Sequence, residues 1–236
     1  LNFFIIPVQH ESIATLKKSP ARLLLEALAQ PAYRLYSASL RKWSYDGLDV
    51  LVFPGIFHPG WFVTSRMLLD RIERTPLDGK RFLELGCGTA TQACRAAQLG
   101  AISYASDVAP AACRNAEINA ERNSLKLHVV ASDIFDQLPE GLQFDVIFVN
   151  PPFLAHYPEE ERDFAFCCGE EFEYYISLFS RLGAYLAPGG ELIMALAKSC
   201  EIDRILAIAD LENIRYERID QTRRWAETNY LYRFTV

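Results

Sequence analysis

The stretch Arg81-Phe82-Leu83-Glu84-Leu85-Gly86-Cys87-Gly88-Thr89-Ala90 decides how the rest of the chain is read. Arg81 to Leu85 is a short apolar strand, the glycines make a tight turn, and an alanine-rich helix runs on to Leu99. Downstream the same unit repeats. Ala101 to Ser106 reads as a second strand, Pro110 to Asn123 as a helix, Leu125 to Ala131 as a third strand and Phe144 to Val149 as a fourth. A long helix is expected over Glu170 to Leu186, with Phe172, Ile176, Phe179 and Leu182 as its buried stripe, ended by Pro188-Gly189-Gly190. Glu191 to Ala197 is the fifth strand, another helix follows, and strands near Ile214 to Ile219 and Asn229 to Val236 close the chain. Strands alternating with helices predict an α/β fold with a doubly wound parallel sheet of seven strands. The last two strands have no helix between them, so they must pair as an antiparallel hairpin.

Upstream of this pattern the chain reads differently. Glu11 to Lys18, Ala21 to Ala29 and Ala32 to Arg41 look like short helices punctuated by Pro20 and Pro31. Trp43 to Phe53 alternates around Asp46-Gly47, a hairpin signal, and a loop over Pro54 to Trp61 leads into a helix ending near Arg74. The turn-rich run Thr75 to Lys80 therefore divides a helical and hairpin extension, residues 1–75, from a main domain, residues 76–236. The extension is expected to cap the acceptor side.

Composition narrows the class. The chain has 236 residues, half of them hydrophobic, and a net charge of −6. That is enough apolar material for a core, and it is the wrong sign for non-specific nucleic-acid binding. No run approaches the ~20 apolar residues of a membrane span, and Leu1 to Val8 lacks the basic flank and cleavage site of a signal peptide. Six cysteines form no C-x-x-C pair, which points to free thiols in a reducing cytoplasm. With four histidines, none at ligand spacing from a cysteine pair, no metal site is expected.

Chemistry concentrates at the carboxyl ends of the strands, where doubly wound sheets bind ligands. Gly86, Cys87 and Gly88 let a ligand lie against the backbone, although a tight strand-to-helix turn also explains the glycines. Asp107 follows Gly88 by nineteen positions at the end of the second strand, where a carboxylate can accept both hydroxyls of a ribose; the alternative is a cap for the next helix. Asp133 and Ile134 end the third strand, a carboxylate and an apolar neighbour suited to an adenine ring or to a plain turn. Glu84 selects the nucleoside. A dinucleotide site would set a pyrophosphate against this turn and needs a third glycine where Thr91 stands. A carboxylate beside the turn repels that pyrophosphate and suits the cationic sulfonium and ammonium of S-adenosylmethionine.

The sharpest signal is Asn150-Pro151-Pro152-Phe153, directly after the buried strand Phe144 to Val149. Methylating a planar nitrogen requires its lone pair to be turned out of conjugation. The Asn150 side-chain oxygen and the Pro151 carbonyl can each accept one N–H of the target. Consecutive prolines fix that carbonyl and present no competing N–H, and Phe153 can stack on a flat amide or base.

These residues make the sequence resemble the class I S-adenosylmethionine-dependent N-methyltransferases of the HemK-like, small methyltransferase domain branch. The resemblance covers roughly residues 50 to 200. It rests on Leu83 to Ala90, Asp107 with the helix ending Asn115 to Ala120, Ser132 to Phe135, and Asn150 to Phe153, with a weaker echo at Gly169 and Tyr175. It implies a Rossmann-like seven-stranded sheet whose last strand is antiparallel. It implies that Glu84, Gly86, Cys87, Gly88, Asp107, Asp133 and Ile134 contact the cofactor, with Asn150 at its border, and that Asn150, Pro151, Pro152 and Phe153 hold the target amine. Thr64 matches a threonine of the family upstream, whereas the arginine and glutamate that flank it in release-factor glutamine methyltransferases are missing between Phe57 and Ser65. Ala90 replaces a third glycine and Phe153 a tyrosine.

The acceptor expected from this reading is a protein, with glutamine as one candidate, or a small molecule. Seven acids against Arg162 between Glu159 and Glu173 would form a wall that repels a phosphate backbone. The alternatives are an adenine or guanine of RNA, approached through Lys17, Lys18, Arg41, Lys42, Arg223 or Arg224, and a non-catalytic Rossmann-like interaction module. A small activating subunit and a homodimer both stay open as assemblies.

Overall fold

The structure is a computed structural model that describes residues 35–159, 161–224 and 227–236. The helices expected over Glu11 to Lys18 and Ala21 to Ala29 lie outside the described residues, as does Trp225. The described part of the third expected helix is helical only at residues 35–37, because Arg41 already pairs with Val52 as a strand.

Strands β1 (Arg41–Tyr45) and β2 (Leu48–Val52) form the hairpin expected around Asp46-Gly47. Both turn residues have positive φ, 43° and 84°, the mirror-image turn whose twist matches that of the strands. Helix α1 (Val63–Ile72) follows, and then the alternating unit: β3 (Arg81–Leu85), α2 (Thr91–Gln98), β4 (Ile102–Asp107), α3 (Pro110–Arg122), β5 (Leu127–Ala131) and β6 (Phe144–Val149). Helix α4 (Glu173–Tyr185), β7 (Leu186–Ala197), α5 (Ile202–Leu211), β8 (Arg215–Arg224) and β9 (Glu227–Thr235) complete the chain. The seven-stranded sheet has the order β5-β4-β3-β6-β7-β9-β8, parallel except for β9, which runs antiparallel to both β7 and β8.

The alternation of strand side chains builds two cores. Leu83, Leu85, Ile147, Val149, Leu192 and Met194 face α4 and α5. Phe82, Val146, Phe148, Ile193 and Ala195 face α1 and α2. The central strands β3 and β6 are apolar on both sides because both sides are covered, which is why the run Phe144 to Val149 shows no polar alternation beyond Asp145.

Two expectations need correction. Ile176 is 45% exposed, and the buried stripe of α4 is Phe172, Tyr175, Phe179 and Leu182 with Leu178 and Tyr185. Phe179 and Leu182 face inward as expected, Tyr175 takes the inward place of Ile176, and Phe172 caps α4 with φ of 64° instead of lying inside it. Pro188-Gly189-Gly190 is not a linker between helix and strand either. Leu186 already pairs with Phe144, and these residues form a bulge before Glu191 pairs with Val146.

Residues 37–236 form one compact unit. The run at Thr75 to Lys80 therefore marks a change of pattern and no gap in packing: Met67, Leu68, Leu69 and Ile72 of α1 share a core with Phe82 and Phe148. The hairpin is tied down by an asparagine ladder on α3. Asn115, Asn119 and Asn123, one helical turn apart, accept the N–H groups of Phe53, Leu51 and Asp49 at 2.9, 2.8 and 2.8 Å. Their amide N–H groups return to the carbonyls of Leu51, Leu51 and Asp49. The exposed edge of a two-stranded hairpin is thereby satisfied by side chains in place of a third strand.

Candidate active site

The chain runs outward from β3 to β5 and returns to β6 beside β3, so the direction of winding reverses between β3 and β6. Leu85 and Val149 are partners in that pair, which sets Gly86 and Asn150 side by side at the reversal, where a crevice opens in folds of this kind.

The glycine loop is shaped by two carboxylates. Gly86 and Gly88 have φ of 66° and 50°, a region that disfavours side chains, and a Cβ on Gly86 would project into open space. Ala90 holds φ of 53° where the resembling family has a glycine. Asp107 Oδ2 accepts the Gly88 N–H at 2.9 Å and Oδ1 accepts the Ala109 N–H at 3.0 Å. Asp107 thus turns the chain toward α3, close to the helix-cap reading, and it also pins the glycine loop.

Glu84 sits elsewhere than the bare motif suggests. Its side chain is 4% exposed and faces α2, where Oε2 accepts the Ala93 N–H at 2.7 Å. Burial pushes the carboxyl up to about 8, the Ala93 N–H draws it back, and the charge of Asp107 adds to the rise. Glu84 therefore satisfies N–H groups of the first turn of α2 from beneath, as a buried carboxyl that holds its proton up to about pH 8. Cys87 is buried, its N–H bonds the Ser106 carbonyl at 2.9 Å, and burial holds its thiol well above the usual range, so it is inert packing.

Asp133 is exposed just after β5 and its carboxylate meets no hydrogen-bond donor among the described residues, while its N–H is held by Gln137 Oε1 at 3.0 Å. Ile134 is buried with φ of 49°, a strained value for a β-branched residue. An open carboxylate beside a fixed apolar side chain, an open Gly86 and a pinned Asp107 together fit an adenosine with a cationic tail. Thr64 lies half-buried in the first turn of α1, and no hydrogen bond joins it to the other site residues.

On the acceptor side, Pro151 and Pro152 are buried, Asn150 is half-buried and Phe153 is 39% exposed. No hydrogen bond within the described residues occupies the Asn150 amide. The chain then loops out and returns: the N–H groups of Phe153 and Leu154 bond the Phe166 carbonyl at 2.9 and 2.7 Å. Phe166 lies beside Phe57, which stacks on Phe62 at 4.1 Å, so the loop before α1 reaches the same wall.

Three further groups sit here, of which the sequence marked Tyr175 alone, as a family echo. Tyr175, fully buried, donates its hydroxyl to the Pro152 carbonyl at 2.8 Å. Tyr174 has its phenol pushed up by burial and by the charges of Asp107 and Asp133. Asn119 donates to the Thr89 carbonyl at 2.9 Å and so joins the hairpin ladder to the glycine loop. The spacing Asn115, Asn119, Asn123 was a visible signal for the last; nothing in the sequence marked the partner of a tyrosine hydroxyl.

A parallel sheet with one reversed strand, a glycine loop pinned by a carboxylate, and an Asn-Pro-Pro corner at the winding reversal define a class I S-adenosylmethionine-dependent methyltransferase. Residues 47–217 match the methyltransferase small domain family, and the chain belongs to it. Over 151 residues it is 30% identical to a chain of Methanocaldococcus jannaschii provisionally named a protein N5-glutamine methyltransferase, covering 61% of this chain and 74% of that one. It is 26% identical over 182 residues to the ribosomal protein L11 methyltransferase of Aliivibrio salmonicida, covering 76% of this chain and 55% of that one. The chain thus spans about half the length of that second relative. A methyltransferase from Pyrococcus furiosus shares the fold, with a TM-score of 0.59 at 23% identity, covering 89% of this chain and 98% of that structure. Among the described residues no helix is long and apolar enough to cross a membrane.

Proposed function

We propose that the protein moves a methyl group from S-adenosylmethionine to a planar nitrogen of a protein acceptor, with a side-chain amide such as that of glutamine as the leading candidate. The observation that carries this reading is the corner Asn150–Phe153: an amide with no protein partner among the described residues, two buried prolines and a half-exposed ring, all beside the open Gly86.

The cofactor supplies an electrophilic methyl carbon on a positive sulfur. Asp107 and Asp133 are assigned to its ribose and adenine, Ile134 to the ring face, and Gly86, Cys87 and Gly88 to the backbone surface it lies on. Glu84 is assigned to its cationic tail from beneath the loop, where a bound cation would favour the ionised form of the carboxyl. Asn150 Oδ1 and the Pro151 carbonyl accept the two N–H groups of the target, which turns its lone pair toward the methyl carbon. The new C–N bond forms as the C–S bond breaks, the electron pair stays on sulfur, and the nitrogen then sheds one proton to water. Preorganised acceptors do this work, and no general base is needed before transfer. The loop before α1, through Phe57 and Phe62, is assigned to the acceptor-side cap.

The charge of the acceptor wall is smaller than the sequence implies. Glu171 pairs with Arg204 at 2.6 Å, and Glu173 accepts the Tyr157 hydroxyl and the Glu171 N–H at the start of α4. Glu159, Glu170 and Glu173, whose charge its neutral donors leave in place, disfavour a phosphate backbone on that side.

The test is incubation of the protein with labelled S-adenosylmethionine and an extract from cells lacking it, followed by separation into protein, RNA and small-molecule fractions. Label in protein is expected. Label confined to RNA, with strongly salt-sensitive binding, would replace the protein acceptor by a base and leave the transferase chemistry in place.

A further inference from the structure

Helix α4 carries two buried phenols ten residues apart, about 15 Å along its axis, and both donate to loop carbonyls. Tyr175 donates to the Pro152 carbonyl at 2.8 Å. Tyr185 donates to the Phe135 carbonyl at 3.1 Å and stacks its ring on Phe135 at 4.4 Å, with an interplanar angle of 10°. Pro152 belongs to the acceptor corner. Phe135 directly follows Asp133 and Ile134 on the adenosine side. We propose that α4 is a brace for both halves of the site, with Tyr175 and Tyr185 as positioning residues that separately fix the acceptor corner and the adenosine-side turn. The inference rests on the assignment of Asn150–Phe153 and Asp133–Ile134 made above.

The physical case is one of pinned loops. The acceptor corner has no N–H groups of its own at Pro151 and Pro152, so no sheet or turn bond can fix it from the donor side. Its carbonyl at Pro152 is instead held from below by a side chain that cannot move: Tyr175 is 0% exposed and packs with Phe172, Tyr174 and Phe179. That bond fixes the peptide plane after Pro152, the first one downstream of the Pro151 carbonyl, and so anchors the end of the corner. On the other side, Ile134 sits at a φ of 49°, which the chain holds only under constraint. The constraints are the Ser132 hydroxyl donating to the Ile134 carbonyl at 3.1 Å, the Gln137 N–H donating to that hydroxyl at 3.1 Å, and the Tyr185 hydroxyl one residue further on. Loss of the last lets the turn relax away from the shape an adenine would meet.

Two phenylalanine substitutions separate this from a general contribution to stability, because each removes one oxygen, leaves the ring in place and lies on the same helix. Tyr175→Phe is expected to lower turnover on the label-accepting extract fraction by about tenfold or more, with KM for that fraction within about threefold and S-adenosylhomocysteine affinity unchanged by calorimetry. Tyr185→Phe is expected to weaken S-adenosylhomocysteine by about three- to tenfold, with turnover at saturating donor near wild type. Asn150→Ala and Asp133→Ala serve as references for the two half-sites. The crossed pattern supports the brace. If both phenol variants lose only thermal stability, or both lose turnover and affinity in parallel, the brace is overturned while the half-site assignments stand on their references. If Asn150→Ala and Asp133→Ala themselves keep full turnover and affinity, the assignments fall and the brace falls with them.

Discussion

The two sides of the crevice are built on opposite plans. On the side assigned to the cofactor, most hydrogen-bonding groups have partners within the protein, Glu84 on Ala93, Asp107 on Gly88 and Ala109, and Cys87 on Ser106, while the Asp133 carboxylate stays open. On the acceptor side the Asn150 amide is unspent among the described residues, and Phe153, Leu154, Tyr157 and Phe164 are exposed at 39–57%. The cofactor side is rigid because backbone and carboxylates satisfy one another. The acceptor side is a fixed corner surrounded by open aromatic surface, and its exposed rings await a partner that covers them. One side is a constant of the chemistry and the other is where a particular acceptor is chosen.

The largest effect that should divide the two sides falls on turnover. Asn150→Ala removes one preorganised acceptor and should lower methyl transfer by roughly 10²–10³. Full turnover in an initial-rate assay with labelled donor would erase the distinction. Next comes the scaffold that both sides share. Asn119→Ala breaks bonds to Leu51 N–H, Leu51 carbonyl and Thr89 carbonyl in a buried place, and should destabilise by about 2–3 kcal/mol. The half-exposed Asn123→Ala should cost less in the same denaturant titration; equal losses would mean the ladder does not anchor the glycine loop.

A pH effect sharpens the cofactor side further. Glu84 has its carboxyl pushed from an ordinary 4.5 to about 8, mainly by burial. The folded protein then holds a proton that the unfolded chain has lost, so this group's contribution to stability declines as pH rises from about 4.5 to about 8 and is flat outside that window. Glu84→Gln keeps an oxygen for the Ala93 N–H and cannot titrate, so its melting temperature should fall less than that of wild type between pH 5.5 and 8. Parallel slopes would show that Glu84 is charged throughout. The smallest effect concerns Ala90. Relief of its left-handed backbone is worth about 1 kcal/mol, and loss of its buried methyl costs about 0.8 kcal/mol, so Ala90→Gly should change stability by less than about 0.5 kcal/mol. A shift above 1.5 kcal/mol in either direction would mean one of those terms is misjudged.

The same contrast explains what could be read without coordinates. Strands β3 and β6 were legible to the residue, because a doubly covered strand must be a short apolar run with turn chemistry at its end. The positions of Asp107 and Asn150 at strand ends were legible because strand ends and prolines leave few conformations to choose from. The burial face of α4 was legible at Phe172, Phe179 and Leu182 and not at Ile176, whose inward place Tyr175 takes. Glu84 was legible as a residue but not in orientation: its place on β3 parity with Phe82 turns it toward α2. Tyr175 was marked as a family echo and Tyr185 not at all, because a phenol in an apolar stripe reads as packing until the carbonyl it meets is known.

The contrast between a cofactor side and an acceptor side is tested most directly by titrating S-adenosylhomocysteine into wild type, Asp107→Ala and Asn150→Ala under one set of conditions. Asp107→Ala should weaken binding by about 1–3 kcal/mol through stranded hydrogen-bonding groups, and Asn150→Ala should match wild type. Equal weakening in both variants, or none in Asp107→Ala, would contradict the division.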